Sequence, residues 1–128
     1  MIKLNIINQS DRDAEFNKIM RQLQDKLNAQ SLYKVRLILE ELVENIFTHA
    51  ACVDELSVDV CIALDDKCIE ITVIDNTEAF DIAAAIKKAT ADVSALRGRG
   101  LLLVRSLASQ VNYKREDQLN HLNIKIEE

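Results

Sequence analysis

The sequence predicts an α+β fold in two layers, with a mixed, mostly antiparallel sheet and helices on one face. Three observations lead there. Period-two apolar patterns and helical patterns follow one another in the order β-α-α-β-β-α-α-β-β. Four of the five strands form adjacent pairs joined by short polar turns, which suits antiparallel hairpins. The chain has 128 residues, 48% of them apolar, enough for one core and a single domain over 1–128.

The first strand is "IKLNII", Ile2 to Ile7, which alternates. "NQSDRD" breaks it, and Ser10 or Asp11 can cap a helix from about Arg12 to Asn28 carrying Phe16, Ile19, Met20, Leu23 and Leu27. After "NAQS", with Ser31 as the expected cap, a second helix runs from about Leu32 to Ala50. "ELSVDVCIAL" places Leu56, Val58, Val60 and Ile62 on one face, and "CIEITVID" does the same with Ile69, Ile71 and Val73. "DDK" between them reads as a hairpin turn. An alanine-rich stretch from Ile82 to Ala95 is helical at least in part, "LRGRG" interrupts it, and "LLLVRSLAS" is a short apolar helix. "QVNYKRE" and "HLNIKIEE" close the chain as a hairpin around "DQLN". Tyr33, Phe47 and Phe80 are expected in the core.

The formal net charge of −5 argues against sequence-independent nucleic-acid binding, which needs a basic surface. Three cysteines, Cys52, Cys61 and Cys68, show no Cys-x-x-Cys pairing and read as buried free thiols in a reducing cytosol. The polar N-terminus does not resemble a signal peptide, and no apolar run reaches the ~18 residues of a membrane span. A cytoplasmic protein is expected. Both glycines of the chain, Gly98 and Gly100, stand together in "RGRG", and there is no proline.

The second helix carries a polar stripe. At ~100° per residue, Glu40, Glu41, Glu44, Asn45, Thr48 and His49 share one half of the wheel. Glu41 and Asn45, four apart, stack on one face, and Asn45 borders the apolar side. An isolated helix of this kind has a solvated acidic face. An alternative is a metal and base site: an amide oxygen suits Mg²⁺, and a carboxylate one turn earlier can accept a proton. Downstream, "VIDNTEAFD" puts Asp75 at a strand end, and "RGRGLLLV" puts two glycines before a helix, whose free N–H groups suit a phosphate. His49, near the helix end, reads as a packing or capping residue.

With these segments in this order, nearly the whole chain resembles the small Bergerat-fold ATPase domains of the anti-sigma-factor serine kinases, relatives of histidine-kinase, gyrase and MutL ATPase domains. "EELVENIFTHA" resembles the N box, "DNTEAFD" the first glycine box, and "RGRGLLLVRSL" the second. The resemblance implies that Asn45 coordinates Mg²⁺, that Glu41 is the general base, and that Asp75 accepts a hydrogen bond from the adenine amino group. It implies that Gly98 and Gly100 end the ATP lid, formed by Ile82 to Arg97, and that the helix from Leu101 presents N–H groups to phosphate. Arg97, Arg99, Lys87 and Lys88 are candidate phosphate contacts. Asn123 falls where relatives often carry a threonine that helps bind adenine.

One position departs from the pattern. Relatives usually read Asp-x-Gly in the first glycine box, and here the third residue is Thr77. Packing against the base, hydrogen bonding and obstruction are all open to it. The implied activity is ATP-dependent phosphorylation of a serine or threonine on an anti-anti-sigma-type partner in a partner-switching circuit, with a sigma factor as a further partner. Relatives often dimerise through the first strand and helix, which leaves a homodimer open. The alternative is a partner-sequestering module with weak or no kinase activity, because of the altered glycine box. The catalytic domain of a two-component histidine kinase is disfavoured, since no dimerisation helix pair or phosphoacceptor module is recognised in the sequence.

Overall fold

The computed structural model describes residues 2–6, 12–48, 55–88 and 99–127. The elements follow in the expected order: β1 (Ile2–Ile6), α1 (Arg12–Gln24), α2 (Ala29–Thr48), β2 (Val58–Leu64), β3 (Cys68–Asp75), α3 (Ile82–Lys88), α4 (Arg99–Leu107), β4 (Gln110–Glu116) and β5 (Leu119–Glu127). The sheet order is β1-β2-β3-β5-β4. All four pairings are antiparallel, so the sheet carries no parallel pair among the described residues. The reason is the final hairpin. β5 rather than β4 lies beside β3, and its reversed direction removes the parallel neighbour that β4 would have made.

Alternation decides which face is covered. Val58, Val60 and Ile62 of β2, Ile69, Ile71 and Val73 of β3, and Leu122, Ile124 and Ile126 of β5 are all buried. Against them α2 lays Val35, Ile38, Leu39, Leu42, Val43 and Ile46, the spacing that puts one stripe of a helix toward the sheet. Ile19 and Leu23 from α1, Ile86 from α3 and Val104 from α4 complete the core. Each such side chain contributes about 1.5–3 kcal/mol of burial free energy.

Local chemistry fixes the ends. α2 begins three residues earlier than expected, because Asn28 rather than Ser31 is its cap: Asn28 Oδ1 accepts from the Ser31 N–H at 2.8 Å. Asp81 caps α3 in the same way through the Ala84 N–H at 3.0 Å. In the β2–β3 turn, Asp65 Oδ1 accepts from the N–H groups of Lys67 and Cys68, both at 2.8 Å. The β4–β5 turn is only two residues long, with Asp117 and Gln118 both at positive φ, 54° and 64°. That backbone is the tight hairpin turn whose twist matches its strands. Phe47 and Phe80 pack against the core as expected. Tyr33 does not: it is 61% exposed, because it lies two residues before Val35 and so about 200° round the helix from it. Cys61 and Cys68 are free thiols as expected, but half-buried rather than buried. The first helix cap, His49, Cys52 and the alanine-rich stretch beyond Lys88 lie outside the described residues. Among the described residues no helix is long and apolar enough to cross a membrane.

Candidate nucleotide site

The register explains where the site lies. Across the covered face, Val60, Val73, Leu122 and Tyr113 stand side by side in one row. In the next row toward the sheet end, Val58 is followed by Asp75, Asn120 and Arg115. The apolar pattern therefore stops one row short, and three polar side chains take its place under α2 and the start of α3. A narrow cleft is lined there by Leu42, Asn45, Val73, Asp75, Thr77 and Phe80, with Ile82, Tyr113, Asn120 and Leu122 among the rest.

Asp75 and Asn120 are 7% and 5% exposed, and buried polar groups of this kind must be bonded. Asp75 Oδ1 accepts from the Thr77 N–H at 3.0 Å, from the Thr77 hydroxyl, and from Asn120 Nδ2 at 3.0 Å. Asn120 Oδ1 accepts from the Tyr113 hydroxyl at 2.6 Å and from Arg115 at 3.1 Å, while its Nδ2 also reaches the Glu78 carbonyl at 3.0 Å. Arg115 donates to the Thr77 carbonyl at 2.8 Å. On the other side of the turn, Asn76 accepts from the Ser57 N–H at 2.8 Å and donates to the Glu55 carbonyl at 2.6 Å. The segment after β3 is thus tied both to the approach of β2 and to the β4–β5 hairpin.

The stripe on α2 divides. Glu44 pairs with Arg12 at 2.6 Å, and Glu40 with Arg36 at 3.0 Å. The Arg12 guanidinium also lies 5.9 Å from the ring centres of Phe16 and Phe47. Among the described residues Glu41 has no ion pair. It is half-buried and lies against Gly100, where a Cβ would run into its carboxylate. Asn45 is half-buried at the cleft, and its Nδ2 donates back to the Glu41 carbonyl at 3.0 Å, leaving Oδ1 as the polar atom not spent on its own helix. Glu41 itself lines a second cleft, between α1 and α2, together with Arg12, Phe16, Met20 and Arg36.

A family model for the histidine kinase-like ATPase domain matches residues 12–126. The chain belongs to this family. Membership in an ATPase domain family implies ATP binding. Among solved structures, the histidine kinase AdeS of Acinetobacter baumannii is similar, with a TM-score of 0.54 and 12% identity over 99% of this chain and 68% of that one. At that identity the likeness bears on the fold alone. No curated protein matches the chain.

In this histidine kinase-like ATPase domain, Asp75, Thr77 and Asn45 line one cleft, while Glu41, against Gly100, lines the separate cleft between α1 and α2. Leu101 is the third residue of α4 and packs half-buried against the core. Arg99 opens α4, with only its backbone described, so the first N–H groups of that helix start beside Glu41. Arg97 and Gly98 lie outside the described residues, as does most of the expected lid. Lys87 and Lys88 end α3 and are exposed.

Asn123 is not brought to the site. It belongs to the opposite face of the sheet, where its Nδ2 donates to Glu70 at 2.8 Å and to Thr72 at 3.1 Å. A strand turns successive side chains to opposite faces, so with Leu122 and Ile124 inward Asn123 must point outward. The inward polar residue of β5 is Asn120, which the pattern alone puts in the turn; Tyr113 and Arg115 on β4 join it. The signal was present: Leu122, Ile124 and Ile126 already fix the inward parity that Asn120 shares.

Proposed function

We propose that this ATPase domain is a protein serine/threonine kinase of the anti-sigma-factor type, acting on an anti-anti-sigma-type protein in a partner-switching circuit. The observation that carries the reading is a buried carboxylate acceptor, Asp75, in an apolar cleft that Asn45 also lines, with an unpaired carboxylate, Glu41, one turn from Asn45 and against Gly100. In this reading Asp75 accepts the amino N–H of adenine, and Val73, Leu42 and Phe80 pack around the base.

Asn45 is the residue that would hold Mg²⁺. Its Oδ1 is a hard oxygen oriented by the bond from Nδ2 to Glu41, and Mg²⁺ usually takes only one or two protein ligands beside phosphates and water. That fits a site where no cluster of three or more His, Cys, Asp or Glu occurs among the described residues. When bound, the ion neutralises charge on the phosphates. The N–H groups at the start of α4 serve the same charge. Glu41 takes the proton of the acceptor hydroxyl as its oxygen bonds to the γ-phosphorus and the bond to the ADP oxygen breaks. The acceptor segment approaches through the cleft between α1 and α2, since Glu41 lines it. A sigma factor as a second partner and a cytoplasmic setting belong to the same reading.

The test is phosphate transfer from labelled ATP to purified anti-anti-sigma-like proteins from the same genome. Transfer to one of them, abolished in Glu41→Gln, is expected. Nucleotide binding without transfer to any of them would favour the second reading, a module that sequesters its partner.

A further inference from the structure

Every polar atom of Thr77 is bonded within the protein. Thr77 is 3% exposed. Its N–H and its hydroxyl both donate to Asp75 Oδ1. Its Oγ1 accepts from Asn120 Nδ2 at 3.2 Å, and its carbonyl accepts from Arg115 at 2.8 Å. With the bond from Asn120 Nδ2 at 3.0 Å, Asp75 Oδ1 receives three donors, while no described residue donates to Oδ2. A carboxylate loaded on one oxygen cannot exchange its two oxygens without breaking all three bonds. A glycine here would supply only the N–H.

We propose that the Thr77 hydroxyl is a positioning and specificity-determining group: it locks the Asp75 carboxylate so that Oδ2 alone meets the base. This rests on the nucleotide-binding reading above. One fixed acceptor matches a purine that presents an amino donor, as adenine does. Guanine presents a carbonyl at the same place, acceptor against acceptor, and the locked carboxylate cannot turn to relieve that clash. Thr77 therefore sharpens the choice of adenine over guanine through Asp75, without bonding the base.

The test uses the full chain and three variants. Thr77→Val removes the hydroxyl at nearly constant shape, Thr77→Ser restores it, and Thr77→Gly removes the side chain. Mg·ATP and Mg·GTP affinities are measured by calorimetry, and the side-chain amide resonances of Asn120 are followed by NMR without nucleotide. Thr77→Val is expected to weaken ATP roughly tenfold or more, the scale of one lost hydrogen bond to a charged group, and to narrow the ATP-to-GTP preference. Thr77→Ser should stay close to the native protein, and Thr77→Gly should also weaken ATP, which keeps the comparison if Thr77→Val does not fold. The Asn120 resonances should move in Thr77→Val and Thr77→Gly but stay near their native positions in Thr77→Ser. Native ATP affinity and preference in Thr77→Val, or tighter ATP binding in Thr77→Gly, would overturn the proposal. A native protein that binds no ATP removes the nucleotide reading and the selectivity claim with it. Unmoved Asn120 resonances in Thr77→Val overturn the lock itself, with or without nucleotide.

Discussion

Asp75 and Glu41 are the two carboxylates of the proposed mechanism, and their surroundings differ. Asp75 is buried, with three donors on one oxygen. Glu41 is half-buried, beside Gly100, and free of the arginines that hold Glu40 and Glu44. Asp75→Asn turns an acceptor into a group with a donor facing the base, and should weaken ATP binding roughly tenfold to a hundredfold, read by calorimetry. Glu41→Gln keeps shape and loses basicity. It should lower phosphate transfer by roughly 10²–10⁴ while leaving ATP affinity near native; a loss of binding of the same size would assign Glu41 to the nucleotide instead. Gly100→Ala places a methyl where the Glu41 carboxylate lies. Because that carboxylate ends a flexible side chain, the fold should survive and transfer should fall, which circular dichroism and the transfer assay together would show.

Single elements show what could be read in advance and what could not. Removing the α2 cap with Asn28→Ala should cost about 0.5–2 kcal/mol, seen as a lower denaturation midpoint; Ser31→Ala, at the position expected to cap, should not remove that bond. The apolar stripe of α2 and the alternation of β2 and β3 were legible, because burial on one face leaves a period in the sequence. The cap was ambiguous, since Asn28 and Ser31 are both good N-cap residues and only the backbone path decides between them. The split of the acidic stripe was expected for Glu41 and Asn45, but its cause was not visible. Arg12 comes from another helix to hold Glu44, and no periodicity within α2 reports that. The last hairpin hid most. A two-residue turn at positive φ normally announces itself with Asn-Gly or Asp-Gly, and Asp117-Gln118 does not. Asn120 therefore reads as loop, and Asn123 reads as a site residue although it stands on the other face.

At the scale of the molecule, the sheet serves both stability and site. The same register that stacks Ile62, Ile71, Ile124 and Val111 in one row brings Asp75, Asn120 and Arg115 together two rows away. Ile71 is fully buried at the middle of this sheet, and Ile71→Ala should destabilise the fold by about 2–5 kcal/mol in denaturant unfolding. The order of the elements and the covered face followed from the sequence. The place where the polar row meets the cleft required the register. That row carries the central claim, and calorimetric titration of Mg·ATP into the native chain tests it most directly. The account predicts saturable binding at or below millimolar nucleotide, with adenine preferred to guanine and binding weakened in Asp75→Asn. No binding at millimolar Mg·ATP by the folded native protein would contradict it.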